Sequence, residues 1–308
     1  MTKHRDTIEK GRSISGKGLF FVLSSGLVWA VAGIITKALF NVGTTPLPMI
    51  LSRNTCGALC LGIFLFFYNR SLFKVAKEDI KTLLVCCLVM FVYSAAYFFS
   101  ILYMNVSIAV VLLYLYPTIV AIASVFIFRE RLTPKVITAL ALAVAGLLLT
   151  VNFFGEGLGR VSLPGLILGI LAAFGAAGYC IYVKKLSDRY HAFTINFYCL
   201  LFTIAGYALL LPFGSGEGLT RMQFFAALAA ALPYISGFLL YAHGVKFLRP
   251  SYASIFGTSE LVFNEIFAAV FLGEIITGSQ FVGSLLIVAA IVFLELPFFT
   301  KKSEGAEL

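Results

Sequence analysis

The chain has 308 residues, of which 60% are hydrophobic and only 12% charged, and its mean hydropathy is +0.99. No water-soluble core hides that much apolar surface, so the composition excludes a soluble domain and predicts an integral membrane protein with the lipid bilayer as its first partner. The net charge of +9 would suit a nucleic-acid binder, but the basic residues sit between apolar runs, so no nucleic-acid partner is expected.

A spanning helix needs roughly 20 apolar residues, because the backbone must satisfy its own hydrogen bonds where water is absent. The apolar runs are unbroken rather than alternating, which predicts helices and no β-barrel. In chain order the predicted spans are Gly18–Phe40, Leu47–Tyr68, Ile80–Tyr103, Val106–Phe128 and Lys135–Phe154, then Pro164–Lys184, Phe193–Phe213, Met222–Val245, Ser251–Leu272 and Ser279–Phe299. The loop from Gly155 to Gly159 is glycine-rich but lacks the Lys-Ser/Thr that follows a phosphate loop, so it reads as a turn. All six cysteines fall inside spans without metal-ligand spacing, so packing is expected of them, and no metal or cofactor.

Charge fixes the expected orientation. Of the 23 Lys and Arg residues, all but Lys37, Arg53, Arg160 and Arg221 lie in the two tails or beside the even-numbered connections on one side. By the positive-inside rule that side is cytoplasmic and holds both termini, which predicts a multi-pass plasma-membrane protein. No secretory signal peptide is evident, since 17 mostly polar residues precede the first span.

The sequence also repeats itself. Ser107, Ala109, Ile122, Glu130, Thr133, Leu142, Val144 and Ala145 recur 144 positions later as Ser251, Ala253, Ile266, Glu274, Thr277, Leu286, Val288 and Ala289. Gly18, Leu19, Ala30, Ile34, Lys37 and Leu39 recur 147 positions later as Gly165, Leu166, Ala177, Ile181, Lys184 and Leu186. Five spans per half is an odd number, so the second half enters the membrane upside down. The expected organisation is a tail (1–17), a first repeat (18–154), an inverted second repeat (164–299) and a tail (300–308).

Tyr97, the stretch NVSIAVVLLYLYP (105–117), FRERLT (128–133) and Gly146 in the first half match Tyr241, PSYASIF (250–256), SELVFNE (259–265) and FLGEIITGSQ (271–280) in the second. With this order in both halves the chain resembles the EamA family of the drug/metabolite transporter superfamily. The resemblance implies a ten-helix inverted-repeat transporter with a central cavity, peripheral fifth and tenth helices, and small polar metabolites, often amino acids, as cargo. One departure stands out: Glu260 is followed by Leu261 where many relatives have proline, whereas Tyr116-Pro117 occupies the equivalent place in the first half. A proline hinge is therefore not expected in the ninth span.

Ionisable groups inside spans are the strongest site signal, since each costs at least about 2.5 to 3.5 kcal/mol at a helix centre. Glu260 lies roughly 14 Å into its span, near the midplane, with Asn264 one turn on. It reads either as a cavity group that bonds substrate or carries a coupling proton, or as a protonated carboxyl tied to a neighbouring helix. Glu265 lies on another face and admits the same two readings, while Glu295 is near the interface. Arg53 can grip a carboxylate through two parallel hydrogen bonds or pair with a backbone carbonyl or Glu265, and it matches an arginine common in this helix of the resembled family. Lys37 is a candidate cavity residue that could meet a substrate carboxylate, or, being close to its helix end, it simply snorkels.

Aromatic residues supply the second signal. Trp29 sits mid-span, where an interfacial belt would not place it, and its indole N–H needs a partner. Tyr93 and Tyr97 share a face, Tyr241 is the repeat mate of Tyr97, and Tyr116 that of Glu260. Each is a candidate cavity wall or a packing residue. His243 is a further candidate proton relay or packing group. The expected activity is secondary transport of small polar metabolites by alternating access, with a coupling proton as possible partner. Competing classes are a multidrug or other organic-solute exporter, a channel, and an intramembrane enzyme, for which no catalytic motif is found.

Overall fold

Each predicted apolar run is helical, because intrahelical bonds are what remains to a peptide group deprived of water. The computed structural model describes residues 15–44, 46–153, 162–210 and 219–296. Residues 1–14, the Gly155–Gly159 loop and the tail 300–308 lie outside them. The helices are α1 (Gly16–Asn41), α2 (Pro46–Tyr68), α3 (Ile80–Tyr103), α4 (Val106–Leu113), α5 (Tyr116–Ile127), α6 (Pro134–Thr150), α7 (Leu163–Ser187), α8 (Ala192–Leu210), α9 (Arg221–Val245), α10 (Pro250–Gly257), α11 (Ser259–Leu272) and α12 (Gly278–Glu295). Among the described residues there is no strand, and the protein is an all-α integral membrane protein of two inverted five-span repeats.

Two spans expected as single helices are each broken in two. The fourth divides into α4 and α5 at Tyr114-Leu115, and the ninth into α10 and α11 at Thr258. In the first half the cause is Pro117, which has no N–H to donate and whose ring crowds the carbonyl four residues back. In the second half Leu261 stands in that place and the break occurs all the same. There Thr258 N–H bonds to the Ile255 carbonyl at 3.1 Å, a three-residue step, and the Thr258 hydroxyl donates to the same oxygen at 2.7 Å. A hydroxyl competing for the helix's own carbonyl does what the proline does opposite. The step leaves the Ser254 carbonyl without its helical donor, and the Tyr116 hydroxyl fills that role at 3.0 Å. Gly257 makes room for it, because a Cβ there would lie 2.6 Å from the tyrosine oxygen.

The helix starts follow local rules. Thr133 and its mate Thr277 accept from the backbone N–H groups of Val136 and Gln280, and Thr220 and Thr277 each form a reciprocal capping box with the glutamine three residues on. Short 3-10 turns at Arg70–Phe73 and Lys77–Asp79 join α2 to α3. The most extensive helix pairings are α3 with α7, α1 with α9, and α6 with α12. The first two are exchanged by the repeat relation and the third is carried onto itself, as an inverted duplication requires.

The α6–α12 pair is packed backbone against backbone. A Cβ on Gly283 would lie 2.5 Å from the Thr150 amide nitrogen and 2.6 Å from the Gly146 carbonyl oxygen. No rotamer change relieves a clash with main chain, and membrane helices associate through such close small-residue contacts. We therefore expect Gly283→Ala to lower the thermal midpoint of the purified protein, at a cost of about 1 to 3 kcal/mol. Gly278→Ala in the same helix, where nothing lies within 4 Å of the added carbon, should leave the midpoint unchanged. Equal midpoints for both variants in a thermal-shift measurement would contradict this packing.

Candidate functional site

The two helix breaks meet near the centre of the bundle, and a cavity of about 720 Å³ opens above them. Its walls come from the later part of α1 and α3, from α4, from the middle of α9, and from α11 and the start of α12, with single contributions such as Arg53 of α2, Tyr116 of α5 and Tyr179 of α7. These segments all lie toward the end of the bundle where α1 finishes. Lys37, with 47% of its side chain exposed, stands at the rim. The opposite end is shut: α1 meets the α9–α10 connection at Gly18 and Leu248, Lys184 donates to the Val245 and Lys246 carbonyls at 2.9 and 3.0 Å, and Ser251 donates to Glu130 at 2.5 Å. The structure thus presents a site accessible from one side.

Trp29, Lys37, Arg53, Tyr93, Tyr97, Tyr116, Tyr241, Glu260 and Asn264 all lie on the wall of this cavity, and so does Glu265. The break between α10 and α11 puts Glu260 in the first turn of α11, where the N-terminal backbone groups face a carboxylate. Tyr114 donates to its Oε2 at 3.1 Å, and Asn264 lies a turn along on the same wall. Trp29 finds its indole partner in the Tyr234 carbonyl at 3.3 Å. Its ring packs edge-on against Phe238 and tilted over Tyr241.

Arg53 is only 4% exposed, and its guanidinium carbon lies 3.6 Å from the centre of the Tyr234 ring. Its Nε donor has no hydrogen-bond partner, and among the described residues no Asp or Glu pairs with it. The expected alternative pairing with Glu265 is not made, because Glu265 accepts a short hydrogen bond from Ser284 on α12. Lys37 is held by Glu274 at 2.7 Å. His243 is not brought to the cavity: it lies near the closed end of α9, packed against Phe21 and Phe247 and 6.2 Å from the His191 ring.

Sequence reasoning missed several wall residues, four of which matter most to the site. Tyr114 is the direct partner of Glu260, Tyr234 supports Arg53, and Tyr179 and Ser94 complete the aromatic and polar lining. The signal for Tyr234 was present, since it precedes Tyr241 by seven residues and so shares its face. Tyr114 gave none: only the helix break turns it beside Tyr116, with ring centres 5.9 Å apart.

A one-sided, aromatic-walled polar chamber at the junction of two inverted halves is the construction of a membrane transporter. The model of the EamA-like transporter family matches residues 16–152 and 163–296, and the chain belongs to that family. It is 26% identical over 292 residues to an uncharacterized inner membrane transporter, YicL, of Salmonella typhimurium, covering 91% of this chain and 95% of that protein. An uncharacterized transporter of Archaeoglobus fulgidus is 27% identical over 260 residues, covering 84% and 90%. The pseudopaline exporter CntI of Pseudomonas aeruginosa is 26% identical over 186 residues, covering 58% and 63%. A solved crystal structure superposes with a TM-score of 0.77 at 19% identity, over 90% of this chain and 95% of that one, and so shares the fold.

Access from one side can be tested directly. A cysteine at Ile101, on the cavity wall, should react with a charged maleimide far faster than the fully buried native Cys86 and Cys199. Equal slow rates at all three positions, read by mass spectrometry, would mean that the chamber is closed to water.

Proposed function

We propose that this chain is a secondary transporter that moves small polar metabolites, amino acids and related zwitterions foremost, by alternating access between its inverted halves. The observation that carries this reading is the pair of buried ionisable groups on one cavity: Arg53, with a donor left unpartnered, and Glu260, hydrogen-bonded at a helix start. A guanidinium that cannot lose its charge, held away from every described carboxylate, suits the carboxylate of a substrate. Glu260 then meets the substrate amine, or carries the coupling proton when the amine leaves. Tyr93, Tyr97, Tyr116 and Tyr241, with Trp29 and Asn264, would bound the space between them. At about 720 Å³ the chamber falls in the range of small-molecule sites. Glu265, committed to Ser284, is the weaker proton carrier, and His243, outside the cavity, weaker still.

The basic residues of the α2–α3, α5–α6 and α7–α8 connections favour the cytoplasm for the closed end, so the cavity faces outward in the plasma membrane and both termini lie inside. The relatives named as an inner membrane transporter and as an exporter agree with that location and with outward movement. Transport of this kind involves no covalent chemistry.

Counterflow in proteoliposomes with labelled amino acids, nucleosides and sugars tests the substrate class. Exchange of zwitterions is expected, and exchange of neutral sugars with all zwitterions inert would remove the assigned carboxylate and amine contacts. Arg53→Lys should weaken zwitterion binding by roughly ten-fold or more, because an ammonium gives up the paired geometry of a guanidinium. Glu260→Gln should abolish the pH dependence of transport while leaving the protein folded. Transport that keeps its full pH dependence in that variant would take the proton role away from Glu260.

A further inference from the structure

The repeat relation places the same three polar residues at each end of the bundle. At the closed end they are Lys184 on α7, Glu130 after α5, and Ser251 on α10; their mates at the open end are Lys37 on α1, Glu274 after α11, and Ser107 on α4. The two sets are engaged differently. At the closed end the lysine and the glutamate feel each other's charge but form no ion pair, each being fastened to the junction between α9 and α10: Lys184 caps the carbonyls that end α9, and Glu130 accepts from Ser251 near the start of α10. At the open end the lysine and the glutamate are paired with each other, Lys37 to Glu274 at 2.7 Å. The mate of the α9–α10 junction is the α3–α4 junction, where Ile101 and Ser107 line the cavity together with that ion pair.

We propose that these six residues are an exchanging latch for the transport cycle: whichever end is closed has its lysine and glutamate fastened separately to the facing helix junction, and whichever end is open has them paired together. In the opposite conformation Lys184 would pair with Glu130, while Lys37 would cap the carbonyls of Ile101 and Leu102 at the end of α3 and Glu274 would accept from Ser107. The exchange keeps each lysine and each glutamate partnered in both states, so neither end has to strand a charge at the membrane face as it opens. Burial holds the Glu130 carboxyl above its usual range, and the hydrogen bond from Ser251 offsets part of that cost. In this role they are positioning residues that set which side the cavity faces. The inference rests on the alternating-access reading above.

Cys180 is a native reporter. It is the repeat mate of the cavity residue Gly33, and it is 1% exposed beneath the closed end. Alkylation of Cys180 by a charged maleimide, followed by mass spectrometry on detergent-purified protein so that both faces meet the reagent, should therefore report the inverted state. Ser251→Ala weakens the inner latch and should raise the rate on the order of ten-fold, the equivalent of one charge-assisted hydrogen bond. Ser107→Ala weakens the outer latch and should lower it. Ser251→Thr, which restores a hydroxyl, should return the rate toward wild type, as a loss of packing would not. Rates that stay unchanged in both alanine variants, or that move in the same direction, would overturn the latch. The labelling needs no substrate, so opposite shifts with every zwitterion inert would keep the latch and reject the substrate class, while unmoved labelling with intact counterflow would do the reverse.

Discussion

In a bilayer every backbone group must find its partner within the protein, and the architecture turns on the two places where that demand is met by something other than the next helical turn. At Tyr114-Leu115 and at Thr258 the helix stops and restarts in the middle of the membrane. The orphaned Ser254 carbonyl takes the Tyr116 hydroxyl, so each break is tied to the other across the repeat interface. An interruption of this kind is tolerable only where it is buried in protein or lines a watered cavity, and here it does both. The breaks create a fresh helix start beneath the cavity, and Glu260 occupies its first turn.

Ionisable groups in the chamber follow the same economy of partners. Glu260 has Tyr114, Lys37 has Glu274, and Glu265 has Ser284. Arg53 differs, because the aromatic face of Tyr234 stabilises its charge without using up its hydrogen bonds. A ring beneath a guanidinium leaves the edge of the fork free, and Nε remains without an acceptor.

Most of the fold was legible because the membrane imposes a long, uniform signal. Apolar runs, charge segregation and the duplicated residues each point to ten spans, and the helices begin and end within a few residues of the expected limits, as with Ile80–Tyr103. The breaks were not legible as breaks. Pro117 marked a kink, but Thr258 is an ordinary hydroxyl in an apolar run, and its effect depends on whether it turns to the Ile255 carbonyl. Leu261 in place of proline spoke only against a proline hinge there, and the break that the structure contains rests on Thr258 instead. Among site residues, those carrying charge in a span stood out because charge there is costly. Tyr114 and Tyr234 did not, since their importance comes from what they touch, Glu260 and Arg53, and tyrosines are common along these helices.

The inverted duplication explains why symmetry and asymmetry divide the labour between different residues. Positions that govern closure, the lysine, glutamate and serine at each end, are kept in both halves, because two ends that open in turn need equivalent contacts. Positions that would meet a substrate are not kept: Tyr116 faces Glu260 across the repeat, and Arg53 has only Leu200 at the 147-residue offset. A molecule bound in the proposed site, between the halves, lies near the axis that relates them and, as a zwitterion, is not itself symmetric. A chamber that holds such a molecule in one orientation must therefore break the repeat where it touches the molecule, while preserving it where the two halves trade places.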